Sequence, residues 1–98
     1  MAKTQSKQYY ENTVILCGKV AKVLPSKSGK VAHVTVAYDE DGHKMSVTAF
    51  DDQVVKTISE VLEEGDSVTV KGNVCYTKES KTSDKYVVVV RATSIEVH

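Results

Sequence analysis

The sequence predicts a mostly-β domain with a single helix. Three observations carry this. Several segments alternate apolar and polar residues with period two; one segment repeats with helical spacing between a capping acid and a glycine; and turn-forming residues separate them. A chain of 98 residues can build one core and no second one. With 41% hydrophobic and 27% charged residues it reads as globular rather than disordered.

Residues 1–11 read as a polar N-terminal arm, and residues 12–98 as the folded domain. The first strand runs from Thr13 to about Leu24, with Val14, Leu16, Gly18 and Val20 on one side and Ile15, Cys17 and Lys19 on the other. Pro25 to Gly29 is a loop by composition. Lys30 to Tyr38 forms a second strand, turning Ala32, Val34 and Val36 inward and His33, Thr35 and Ala37 outward. The turn Asp39-Glu40-Asp41-Gly42 joins it as a hairpin to a third strand, MSVTAF, whose Met45, Val47 and Ala49 face the core.

The helix is expected at about 53 to 63. Asp52 serves as its N-cap, Val54, Ile58, Val61 and Leu62 form its apolar face, and Gly65 is its stop. Ser67 to about Tyr76 is a fourth strand with Val68, Val70, Gly72 and Val74 inward, and Thr77 to Asp84 is a polar loop. Tyr86 to Val97 is the last strand, its valine run implying burial on both faces over part of its length. Three strands, a helix and two strands suit the OB-fold, a five-stranded, partly open Greek-key barrel with an α-helix between strands three and four. A small α+β sheet or an SH3-like barrel is the alternative, and the latter has no place for a capped helix there.

The apolar run Val87 to Val90 is far too short to cross a bilayer, and no signal peptide opens the chain, so a cytoplasmic protein without membrane partners is expected. Cys17 and Cys75 lie far apart without a CxxC pattern, and nothing implies a disulfide. No nucleophile motif, glycine-rich phosphate loop or metal-ligand spacing is present, so neither enzyme activity, metal nor cofactor is expected. The acids of the 39–42 turn read as a turn rather than a cation site.

Net charge is zero, but its distribution is uneven. Segments 19–30 and 71–85 hold eight lysines against two acids, while segment 39–66 holds nine acids against two lysines. In an OB-fold the two basic segments are the loops beside the oligonucleotide cleft and their flanks. A phosphate backbone responds to this local potential and not to the sum. The candidate single-strand-binding residues are therefore the basic side chains Lys22, Lys27, Lys30, Lys78, Lys81 and Lys85, the outward strand positions His33, Thr35, Lys44, Ser46, Thr48, Phe50, Lys71 and Asn73, and two tyrosines, Tyr38 at the hairpin edge and Tyr76 at the base of the loop between strands four and five.

Phe50, the one phenylalanine, closes the polar outer face of the third strand. Two readings are open: a ring on which bases stack, or one folded over the helix start or into a subunit interface. Tyr38, Tyr76 and Tyr86 are weaker stacking candidates. Tyr76 shares parity with Val74, and Tyr86 with Val88, so both are expected to face the core with wet hydroxyls.

The stretches NTVILCGKV, VAHVTVAY, MSVTAF and VLEEGDSVTVKGNV, with the late tyrosine-plus-valine strand, resemble the bacterial single-stranded DNA-binding protein family over about residues 12 to 97. The resemblance implies non-catalytic, largely sequence-independent binding of single-stranded DNA, with RNA open, in replication, recombination or repair. It implies a stacking role at Phe50 and assembly through the first strand into a homodimer or homotetramer. Ile15 and Cys17, apolar on that strand's outer side, suit such pairing. The chain departs from the family in having no tryptophan: Lys44 stands where one is expected, and Glu79 stands near another such position. It ends without an acidic recruiting tail, which resembles a tailless member, either a phage or mobile-element version or the replication-restart relative of primosome assembly. The alternative function is an OB-fold adaptor that binds protein with weak or no DNA binding.

Overall fold

The computed structural model describes residues 11–25, 27–79 and 82–98. Its elements are β1 (Val14–Leu24), β2 (Ala32–Ala37), β3 (Lys44–Ala49), α1 (Asp52–Glu60), β4 (Ser67–Lys78) and β5 (Tyr86–Val97). The strands close into one barrel in the order β1-β2-β3-β5-β4. The expected barrel was partly open. It is closed by the pairing of β3 with β5, which run parallel and set Val47 opposite Val90, Thr48 opposite Arg91 and Ala49 opposite Ala92. Among the described residues no helix is long and apolar enough to cross a membrane.

Period-two alternation fills the barrel. Val34, Val36, Val47, Val68, Val70 and Val90 are essentially inaccessible, and each such side chain contributes about 1.5–3 kcal/mol of burial. Val89 and Val90 are both buried, so the valine run is covered on both faces where β5 lies between its neighbours. β1 serves two partners: its first half pairs with β4 and its second half with β2. The β1–β2 register shifts between Val20 and Lys22, which turns Lys22 and Leu24 outward after Val20 has faced the core.

The helix packs against β1, β2 and β5 with Val54, Val55 and Ile58 buried. Its cap is Asp51, not Asp52: the Asp51 carboxylate accepts hydrogen bonds from the backbone N–H groups of Gln53 and Val54. Asp52 instead opens the first turn, where an acid suits the helix dipole. The helix also stops earlier than expected, with Val61 as C-cap, and Val61 is exposed. The buried stripe is centred between Val54 and Val55, which leaves Val61 at its margin and Leu62 within the core. Gly65 adopts φ 92° in a tight turn where its N–H donates to the Val20 carbonyl, so it orients the entry to β4 rather than ending the helix.

β4 and β5 outrun the barrel. β1 follows β4 only as far as Val14 opposite Gly72, and β3 follows β5 only from Val90 onward, whereas β4 and β5 stay paired out to Lys78 opposite Tyr86. The result is a two-stranded arm. Val74 is therefore 40% exposed, and Tyr76 and Tyr86 are 74% and 59% exposed, contrary to the expected core-facing positions. Their parity is as read, but no barrel lies beneath them.

Candidate nucleic-acid interface

The outer face of β2 and β3 carries polar side chains in cross-strand rows. Lys22, Thr35 and Ser46 are in register, and beside them Leu24, His33, Thr48, Arg91 and Asn73 form a row crossing all five strands. His33 Nδ1 and Thr48 Oγ1 are hydrogen-bonded at 3.2 Å, which satisfies the hydroxyl of Thr48, a buried polar side chain. Phe50 follows the end of β3 and is half exposed. The guanidinium of Arg91 lies over its ring, 4.9 Å from the centroid.

The arm rises beside this face and makes a groove of about 670 Å³ with it. Leu24, His33, Thr35, Ser46, Thr48 and Phe50 line the barrel wall, and Thr77, Lys78, Glu79, Val87 and Val89 line the arm wall. The structure thus brings together five of the expected strand residues and Lys78. Lys27 and Lys30 are exposed in the loop joining Leu24 to Val31, both of which line the groove, so that loop borders it. Lys22 adjoins it through Thr35. Lys85 stands at the tip of the arm, where its carbonyl accepts from the Glu79 N–H. Lys81 lies outside the described residues.

Other expected residues lie elsewhere. Lys71 sits between Ile15 and Ser94 on the β1–β4–β5 surface. Asn73 is in the Arg91 row, but its amide donates to the Asn12 carbonyl. Tyr76 is on the arm's reverse face. Lys44 and Tyr38 are at the β2–β3 turn, where the Tyr38 ring stacks on His43 with centroids 6.3 Å apart.

That turn also holds three side chains with metal-ligand atoms, Asp39, Asp41 and His43, within 4.8 Å of one another. Asp39 is already engaged as a turn residue: it accepts from the His43 N–H and shares a 2.7 Å hydrogen bond with His43 Nδ1. These bonds hold its carboxyl below the ordinary aspartate value.

Sequence reasoning missed Arg91 and the apolar arm residues Val87 and Val89. A signal was present: Arg91 is the only arginine in the chain, and it shares the parity of Val87 and Val89.

No family model matches the chain, and no curated protein matches it. Solved structures do. A Plasmodium falciparum SSB, in complex with ssDNA, is 17% identical, with a TM-score of 0.69 over 93% of this chain and 96% of that one. A mitochondrial single-stranded DNA binding protein of S. cerevisiae is 14% identical, with a TM-score of 0.68 over 90% of this chain and 96% of that one. The SSB domain of a Synechococcus protein is 13% identical, with a TM-score of 0.65 over 90% of this chain and 97% of that one. At these identities the likeness is one of fold, and the chain has the closed five-stranded OB-fold barrel of these single-stranded DNA-binding proteins.

Proposed function

We propose that the protein binds single-stranded DNA in the groove between the β2–β3 face and the arm, without catalysis and with little sequence preference. The observation that carries this is the Phe50 ring, half exposed on the groove wall and backed by Arg91. A single strand is held by aromatic faces that accept any base and by cations that follow its backbone. Phe50 supplies the first. Lys22, Lys27, Lys30, Lys78 and Arg91 supply the second, while the hydroxyls of Thr35 and Ser46 reach sugar or phosphate oxygens. The likeness to the SSB structures supports the same reading, and with it a role in replication, recombination or repair.

We also propose that two copies pair through β1. Among the described residues, positions 14–18 of β1 have β4 on one side and no strand on the other, and Ile15 on this segment is 64% exposed. Light scattering should give a dimer or larger assembly, and a monomer at micromolar concentration would contradict this part of the reading.

The test of binding is an anisotropy titration with fluorescein-labelled oligo-dT at low and at moderate salt. The expected result is saturable binding that weakens steeply with salt. Reversing Lys27, Lys30 and Lys78 together should flatten the log–log slope by roughly 0.7 for each phosphate that is no longer neutralised. No binding at low salt would overturn the proposal.

A further inference from the structure

The arm has a second face. Along β4 and β5, Thr77, Val87 and Val89 look into the groove, so alternation turns Val74, Tyr76, Tyr86 and Val88 the opposite way. All four are at least 40% exposed, Tyr76 most of all. Lys78 pairs with Tyr86 on this parity and also lines the groove, so it links the two faces at the end of the paired strands.

Two properties decide what covers this face. It is small: about 14 Å along the strands and 10 Å across them, far less than the ~800 Å² per partner of a stable protein interface. Its strand positions carry two tyrosines and a lysine and no acid. Tyr76 pairs with Val88 and Lys78 with Tyr86, so the two tyrosines are diagonal neighbours with Cα atoms about 7–8 Å apart. That spacing suits one or two bases laid against the rings.

We propose that the reverse face of the arm is a second stacking platform for the same nucleic-acid strand, reached past Lys78 and received by Tyr76 and Tyr86. The inference rests on the reading of the groove as a single-strand site. It adds a path by which one domain engages more nucleotides than the groove alone holds.

The test titrates the full chain and its Tyr76→Ser/Tyr86→Ser variant with two labelled dT oligomers. One is about 6 nucleotides long, near the low end for one OB barrel, and the other about 20. The short oligomer should bind both proteins within about twofold, while the variant should lose about tenfold or more for the long one. Tyr76→Phe/Tyr86→Phe should restore long-oligomer binding, since stacking needs the ring and not the hydroxyl. Equal long-oligomer affinities in a wild type that binds would overturn the platform and leave the groove reading standing. So would equal losses for both lengths, failure of the phenylalanine pair to restore binding, or a changed mass by light scattering, which would make the face a protein contact. A wild type that binds neither oligomer would overturn the groove reading and the platform with it.

Discussion

The guanidinium carbon of Arg91 lies over the Phe50 ring, 4.9 Å from its centroid. The contact follows from the parallel β3–β5 pairing that closes the barrel, because Thr48 stands opposite Arg91 and Phe50 is two residues farther along. The arginine covers one side of the ring and leaves Phe50 half exposed. In the proposed complex a base would lie against the exposed part of the ring, with the Arg91 charge near the attached phosphate.

Arg91→Met keeps an apolar stem of similar reach and removes the charge. The exposed cation–π contact is worth about 0.5–1 kcal/mol, so denaturant melting should show destabilisation of that size and no more. Oligonucleotide affinity should fall for every base composition, and the salt slope should flatten by about 0.7 if the guanidinium meets one phosphate. Unchanged affinity and slope would place Arg91 off the nucleic-acid path. Arg91→Lys should restore the slope without fully restoring affinity, because an ammonium lacks the planar group that stacks on the ring.

Gly72→Ala tests the barrel beneath that pair. A Cβ at Gly72 would stand 1.9 Å from the Arg91 carbonyl oxygen and 2.8 Å from its carbon, so backbone and not a flexible side chain would have to move. The register shift between Lys71 and Gly72 lies at this same point. Destabilisation of about 1–3 kcal/mol or more is expected in chemical denaturation, together with weaker oligonucleotide binding as Arg91 is displaced. A variant as stable as wild type would show that β5 has slack at Arg91.

Much of this architecture was legible in alternation, because a barrel strand must separate core from solvent residue by residue. The inward sets of β2 and β3 follow from it directly. The extent of the arm was not legible: parity says which side Tyr76 and Tyr86 take, but burial depends on where β1 and β3 stop, and that is set by other strands. Nor was the role of Arg91, whose position beside Phe50 arises from a parallel pairing between segments distant in sequence. The cap was ambiguous locally, since Asp51 and Asp52 are adjacent acids and helical spacing does not distinguish them.

Asp51→Ala should therefore cost about 1 kcal/mol of stability, while Asp52→Ala should cost only a few tenths of that through the helix dipole. Thermal or denaturant melting of the two single variants checks this. The reverse order would return the cap to Asp52. Because Asp51 also follows Phe50, oligonucleotide binding by Asp51→Ala reports whether the cap helps to hold the ring in place.

The most direct measurement is Phe50→Ala, followed by oligo-dT titration and by melting on the same preparation. A stacking ring predicts affinity weaker by about 1–3 kcal/mol, roughly five- to 150-fold, for any base composition. Stability should then fall only by about 0.5–1 kcal/mol, the share of the Arg91 contact. Phe50→Trp should retain binding, and the indole should be quenched as oligo-dT saturates the protein. A stability loss of about 3–5 kcal/mol, with weaker binding only where the protein unfolds, would make Phe50 a core or interface residue and contradict the account. Undiminished oligo-dT affinity in a folded Phe50→Ala variant would contradict it as well.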